Sequence, residues 1–163
     1  MQVHMGALNK DQMYTIKGMI QLDPDFLLSI AKELLELAGS EPVPPGEPPA
    51  PALTKATKVL APVSYVAPGL MEAQLLMAKS RYLSRDFEGA QQVLTEAIQG
   101  NPSLYTAHML MTQILIEIEK FTEANASLEQ ALSHNFEIRE QPTYYILKAK
   151  IHEKVATPQT SDL

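Results

Sequence analysis

The sequence predicts an all-α fold, a right-handed superhelical solenoid of helical hairpins carrying one proline-rich loop insertion. The first observation is a tandem repeat: residues 71–102 read MEAQLLMAKSRYLSRDFEGAQQVLTEAIQGNP, and thirty-four residues on, 105–136 read YTAHMLMTQILIEIEKFTEANASLEQALSHNF. At that offset Ala73 falls on Ala107, Met77 on Met111, Phe87 on Phe121, Ala90 on Ala124, Leu94 on Leu128, Ala97 on Ala131 and Asn101 on Asn135. Matching small and apolar residues at such a period mark a supersecondary unit that buries its apolar face by stacking on its neighbours. The second observation is the segment 40–51, SEPVPPGEPPAP, which holds six of the twelve prolines and cannot be helical.

An alanine three residues after an aromatic, with another seven beyond, gives each unit the form of a tetratricopeptide hairpin. Ala78 and Thr112 are the small residues where a first helix meets its partner, and Ala90 and Ala124 let the second helix lie close. Phe87 and Phe121 start the second helices, and Pro102 marks the break before the next unit.

Taken in order, residues 1–24 form an N-terminal segment and half-repeat helix: Met13, Ile16, Met19 and Ile20 recur at three- and four-residue steps. Asp23-Pro24 reads as a cap and first turn ahead of FLLSIAKELLELA, a helix ending at Gly39. This opens a hairpin over 25–68 whose second helix, 53–66, is in register, since Ala56, Leu60 and Val63 lie thirty-four residues before Ala90, Leu94 and Ala97. Pro24 and Pro68 are forty-four residues apart, so ten extra residues lie in the turn, at the extended proline run 40–51. Pro62 should kink the second helix or end it early. The full repeats, 69–102 and 103–136, predict helices at 69–83, 87–99, 103–118 and 121–134. A longer connection then leads to a half-repeat helix within 137–155, where the KAK around Ala149 echoes the MAK around Ala78 at seventy-one rather than sixty-eight residues. The remainder, 156–163, is a polar tail. Neither end has an evident polar capping helix, which suggests a piece of a longer protein.

The chemistry the sequence offers is that of a surface. There is no HExxH, GxSxG or glycine-rich phosphate loop, so no catalytic role and no cofactor is expected. His4, His108, His134 and His152 are not spaced to put two ligands on one helical face, and Asp23 with Asp25 lacks further ligands, so no metal is expected. Glu117 and Glu119, two apart, point to different faces and read as solvated charges rather than an acid–base pair. Met77, Met109 and Met111 read as pliable packing. A net charge of −6 with no basic stripe argues against nucleic acid. Absent cysteine excludes a disulfide framework and fits a reducing compartment. Without an apolar run long enough for a membrane span or a signal-peptide core at the start, the chain is expected to be cytosolic.

Tetratricopeptide arrays bind along their first helices, at the fifth, ninth and twelfth residues of each unit. Those positions are Leu75, Lys79 and Tyr82, then Met109, Gln113 and Ile116, spaced four and three apart on one stripe. Two readings stand: a concave partner-binding stripe, or residues that pack on neighbouring helices. A co-chaperone clamp for an acidic C-terminal peptide would need asparagine and lysine or arginine here, and Lys79 alone fits.

The segments LDPDFLLSIAKELL, PPGEPP, VLAPVSYVAPGLMEAQLLMAKSRYLSRDFEGA and SHNFEIREQPTYYILKAK together resemble the tetratricopeptide repeat protein 21 family, across residues 21–154. The resemblance includes the irregular features, the proline insertion and the slipped final helix. It implies a non-enzymatic scaffold, the large solenoid subunit of intraflagellar transport complex A, whose partners are the complex's other subunits and which needs no small-molecule substrate. It further implies a place in the cilium or flagellum and in the cytoplasm at the ciliary base, serving retrograde transport and cilium assembly. Members of that family are several times longer, so the resemblance implies a fragment, a short isoform or an excised domain.

Overall fold

A computed structural model describes residues 23–156; the half-repeat helix expected at Met13, Ile16, Met19 and Ile20 lies outside the described residues, as does the tail expected over 156–163 except Ala156, which ends the last helix. Seven α-helices and one 3-10 turn account for the regular structure, with no strand among the described residues, in agreement with the all-α class. They are α1 (Pro24–Ala38), α2 (Pro51–Val66), α3 (Met71–Leu83), α4 (Phe87–Gly100), α5 (Tyr105–Glu117), α6 (Phe121–His134) and α7 (Pro142–Ala156). The chain divides into two compact units, Met1–Val93 and Leu94–Leu163, with the division inside α4. Within each, sequential helices pack on their neighbours, as a helical-repeat solenoid requires.

In the first unit, α1 begins where Asp23 Oδ1 accepts from the N–H groups of Asp25 (3.1 Å) and Phe26 (3.2 Å). That satisfies two of the four donors a helix start leaves unpaired, and Pro24 lacks another. The helix stops at Gly39, whose φ of +92° is open to glycine. Leu27, Leu28 and Ala31 of α1 meet Leu60 and Val63 of α2 and Ala73 and Met77 of α3 in one buried cluster. Pro62 does not end α2: the helix runs through it to Val66. Leu60 and Val63, buried on either side of it, hold the helix on the cluster where the proline removes a backbone donor.

The insertion is extended apart from a turn at Pro45-Gly46, where Glu47 N–H donates to the Pro44 carbonyl (3.1 Å) and Gly46 has φ +84°. Within it Val43 N–H donates to the Leu83 carbonyl at the end of α3 (2.8 Å). Pro51 belongs to α2 rather than to the loop, at its first turn.

In the second unit, Met109 and Leu115 of α5, four residues of α6, Ile138, and Tyr144, Leu147 and Ile151 of α7 form the core. The connection expected after Phe136 is partly folded: residues Phe136–Glu140 make a 3-10 turn, capped by the Asn135 side chain and anchored by the fully buried Ile138.

Two boundaries shift for one reason. Helices expected to begin at 69 and 103 begin at Met71 and Tyr105, because Pro68 and Pro102 sit second in a four-residue turn rather than inside the helix. Leu70 N–H donates to the Ala67 carbonyl (3.0 Å) and Leu104 N–H to that of Asn101 (3.1 Å), closing turns that favour proline in that place.

Candidate partner-binding surface

The small residues of the repeat set how closely the helices approach. Ala56, Ala78, Ala90, Ala97, Ala124 and Ala131 are all fully buried, Phe87 and Phe121 open α4 and α6 half-buried, and Pro102 is exposed. Hydroxyls stitch the close contacts. Thr57 of α2 and Ser80 of α3 lie 2.9 Å apart, and Thr57 also donates to the Leu53 carbonyl (3.1 Å). The His108 carbonyl of α5 accepts from Ser127 Oγ of α6 (3.0 Å) and from Thr112 Oγ1 one turn on in α5 itself (2.9 Å). His108 donates from Nε2 to the Pro102 carbonyl (2.9 Å), and its ring stacks on that of His134 with centroids 5.9 Å apart. Helical spacing could not show this pairing, since the two histidines come from different helices.

The six stripe residues do not share one environment. On α3, Lys79 is exposed and Leu75 half-buried, while Tyr82, 5% exposed, turns inward with its ring 6.0 Å from that of Phe87. On α5, Met109 is a core residue at 8% exposure, Ile116 packs against the same core, and Gln113 is half-buried. Lys79, Leu75 and Gln113 therefore offer the most reachable atoms of the stripe, and Tyr82, Met109 and Ile116 contribute mainly to packing.

The second unit holds a groove that the stripe only touches. It has a volume of 370 Å³ and is lined by Ile116, Glu117, Glu119, Phe121, Lys150, Glu153 and Lys154. An apolar floor from Ile116 and Phe121, rimmed by both signs of charge, suits an apolar side chain flanked by charged ones. Glu117 ends α5 and Glu119 lies in the turn just after it, so the expectation that the two point to different faces of one helix does not apply, and both line the groove. Lys150, Glu153 and Lys154 are brought opposite them by α7, which reading the stripe alone does not reach. Among the described residues no three His, Asp or Glu side chains are placed to hold a metal ion, and no helix is long and apolar enough to cross a membrane.

A family model described as the second ARM domain of tetratricopeptide repeat protein 21 matches residues 1–119. Tetratricopeptide repeat protein 21B of Mus musculus is 40% identical over 135 residues, covering 83% of this chain and 10% of its own length. The Xenopus laevis protein 21B is 40% identical over 139 residues, 85% of this chain and 11% of its own, and the Mus musculus protein 21A is 37% identical over 134 residues, 82% and 10%. The chain thus spans about a tenth of the length of the curated relatives it matches. With the family model matching well over half of the chain and its helices stacked as a helical repeat demands, the chain belongs to the tetratricopeptide repeat protein 21 family.

Proposed function

We propose that this chain is a non-enzymatic interaction scaffold, a segment of a subunit of intraflagellar transport complex A that supports retrograde transport and cilium assembly. Family membership carries the reading, and the surface is compatible with it: a mixed-charge groove with an apolar floor and an exposed Lys79, features for holding a protein segment. On this reading the partners are other subunits of the same complex, met in the cilium or flagellum and in the cytoplasm at its base.

The test is affinity capture of the tagged full chain from ciliated cells, with antibodies against the complex's subunits as readout and the Ala90→Arg/Ala124→Arg double variant as control. Capture of those subunits by the wild type and not by the variant is the expected result. Recovery of chaperones alone by both forms would overturn it. A second reading, a clamp for an acidic C-terminal peptide, rests on the exposed Lys79; it requires peptide binding that Lys79→Ala abolishes.

A further inference from the structure

Four of the six prolines in the run 40–51, Pro42, Pro45, Pro48 and Pro51, fall at intervals of three. Three residues make one turn of polyproline II, so prolines at that spacing recur on one edge of an extended segment. The fold leaves that edge open in one half of the run. The first half is tied to the molecule: Pro42 and Val43 are half-buried, Val43 N–H donates to the Leu83 carbonyl, and the turn at Pro45-Gly46, with Gly46 at φ +84°, ends the extended run. In the second half, Glu47-Pro48-Pro49-Ala50-Pro51, every residue except the half-buried Ala50 is exposed.

Sequence and fold both hold this second half extended. Pro48, Pro49 and Pro51 fix their own φ, and Glu47, Pro48 and Ala50 each precede a proline, which disfavours the helical region for them. Ala50 has φ −56° and ψ 146°, within the usual scatter of polyproline II, and α2 begins immediately after it at Pro51. A segment restrained in this way loses little conformational freedom when a partner takes it. Its acceptors are open as well. The Ala50 carbonyl accepts from Leu53 and Thr54, but among the described residues no donor reaches the carbonyls of Glu47, Pro48 or Pro49.

The surrounding side chains choose the partner. Lys55 and Lys58 follow Pro51 at steps of four and three along α2, so the three share one helical face, and all are exposed. Neither lysine is in an ion pair among the described residues. Four residues of helix advance about 6 Å, the reach of about two residues of polyproline II, so Lys55 sets a cation just past the second proline. No aromatic residue lies between Phe26 and Tyr65, which disfavours grooves that read proline together with a neighbouring tyrosine or phenylalanine.

We propose that Glu47–Pro51 is a docking segment for a domain of the SH3 kind, whose aromatic-walled groove takes the pairs Glu47-Pro48 and Ala50-Pro51 and ends in acidic side chains that meet Lys55. Pro49 then points away from the groove. The inference is independent of the transport reading.

The experiment titrates the purified full chain against purified SH3, WW and EVH1 domains. SH3 domains with an acidic pocket should bind, and more weakly at high salt. Pro48→Ala and Pro51→Ala should each weaken binding at least about tenfold, and so should Lys55→Glu/Lys58→Glu, whereas Pro49→Ala changes it less than about threefold. Pro48 lies outside the helices, so Pro48→Ala should keep the wild-type thermal midpoint, and its loss of binding reports the contact rather than the fold. The proposal is overturned if no SH3 domain binds or if Pro48→Ala binds like the wild type. Loss of binding with Pro42→Ala and not with Pro48→Ala would also overturn it, by placing the contact in the first half of the run. Binding by WW or EVH1 domains alone would overturn it too, because the prolines would then serve a different groove.

Discussion

Arg85 and Glu119, thirty-four residues apart, have φ of +61° and +62° and are the two positive-φ residues other than glycine among those described. Each sits just past a first helix, in a turn closed by the same pair of bonds. Arg85 N–H donates to the Tyr82 carbonyl (3.0 Å) and Asp86 N–H to that of Arg81 (2.9 Å); Glu119 N–H donates to Ile116 (3.1 Å) and Lys120 N–H to Leu115 (2.8 Å). A side chain in the left-handed region costs about 1 kcal/mol that glycine avoids. Glu119→Gly should therefore raise stability by about 0.5–1 kcal/mol and Glu119→Val lower it, measured by urea unfolding. The next residue differs between the copies. Asp86 Oδ1 accepts from Gly89 N–H (3.0 Å) at the start of α4, whereas Lys120 starts α6 without a side-chain cap. Lys120→Asn supplies the missing acceptor and should add about 1 kcal/mol; no rise in the urea midpoint would refute the capping argument. The exposed Lys120–Glu123 pair lost in the exchange contributes little.

At the scale of elements, the alanines decide whether helices can meet. Ala124 is fully buried and its carbonyl lies against Thr112, so Ala124→Arg overfills the contact and buries a charge without a partner. A loss on the order of 3–5 kcal/mol is expected, seen as a large drop in the thermal midpoint; a wild-type melt would refute the register of α5 on α6. These alanines, the phenylalanines and the prolines were legible in the sequence because steric needs repeat with the helices. That is why α3 to α6 fall within two residues of their expected bounds. The hydroxyl links between helices were not legible, since Thr57 to Ser80, Thr112 to the Ala124 carbonyl and Ser127 to the His108 carbonyl join groups far apart in sequence and carry no local pattern. Nor was the folded turn at Phe136–Glu140, where one buried side chain, Ile138, organises five residues with weak preferences of their own.

For the molecule as a whole, the class of fold was readable from period alone, because a thirty-four-residue unit that buries its face only on neighbours leaves few alternatives. The surface was less readable. The stripe positions identify which residues of a helix lie on one side, but burial depends on what that side meets, which is why Tyr82 and Met109 turn inward while Lys79 does not. The groove at Ile116 depends on α7, whose offset differs by three from that of the other helices, and on its Lys150, Glu153 and Lys154.

The tie between Val43 and Leu83 bears on how an insertion can be tolerated in a repeat. Val43 stands between Pro42 and Pro44-Pro45, so over those four residues it alone carries a backbone N–H, and that N–H is the one fastened to α3. The excess chain is thereby divided into two short spans, one from Gly39 and one to Pro51, each free to change length at little entropic penalty. Val43→Pro would remove the fastening and merge them, and limited proteolysis should then cut within 40–50 at least about tenfold faster while the helices stay intact. Equal cleavage rates would show the tie to be dispensable. With the tie in place, lineages could lengthen or shorten either span without disturbing the helices on both sides.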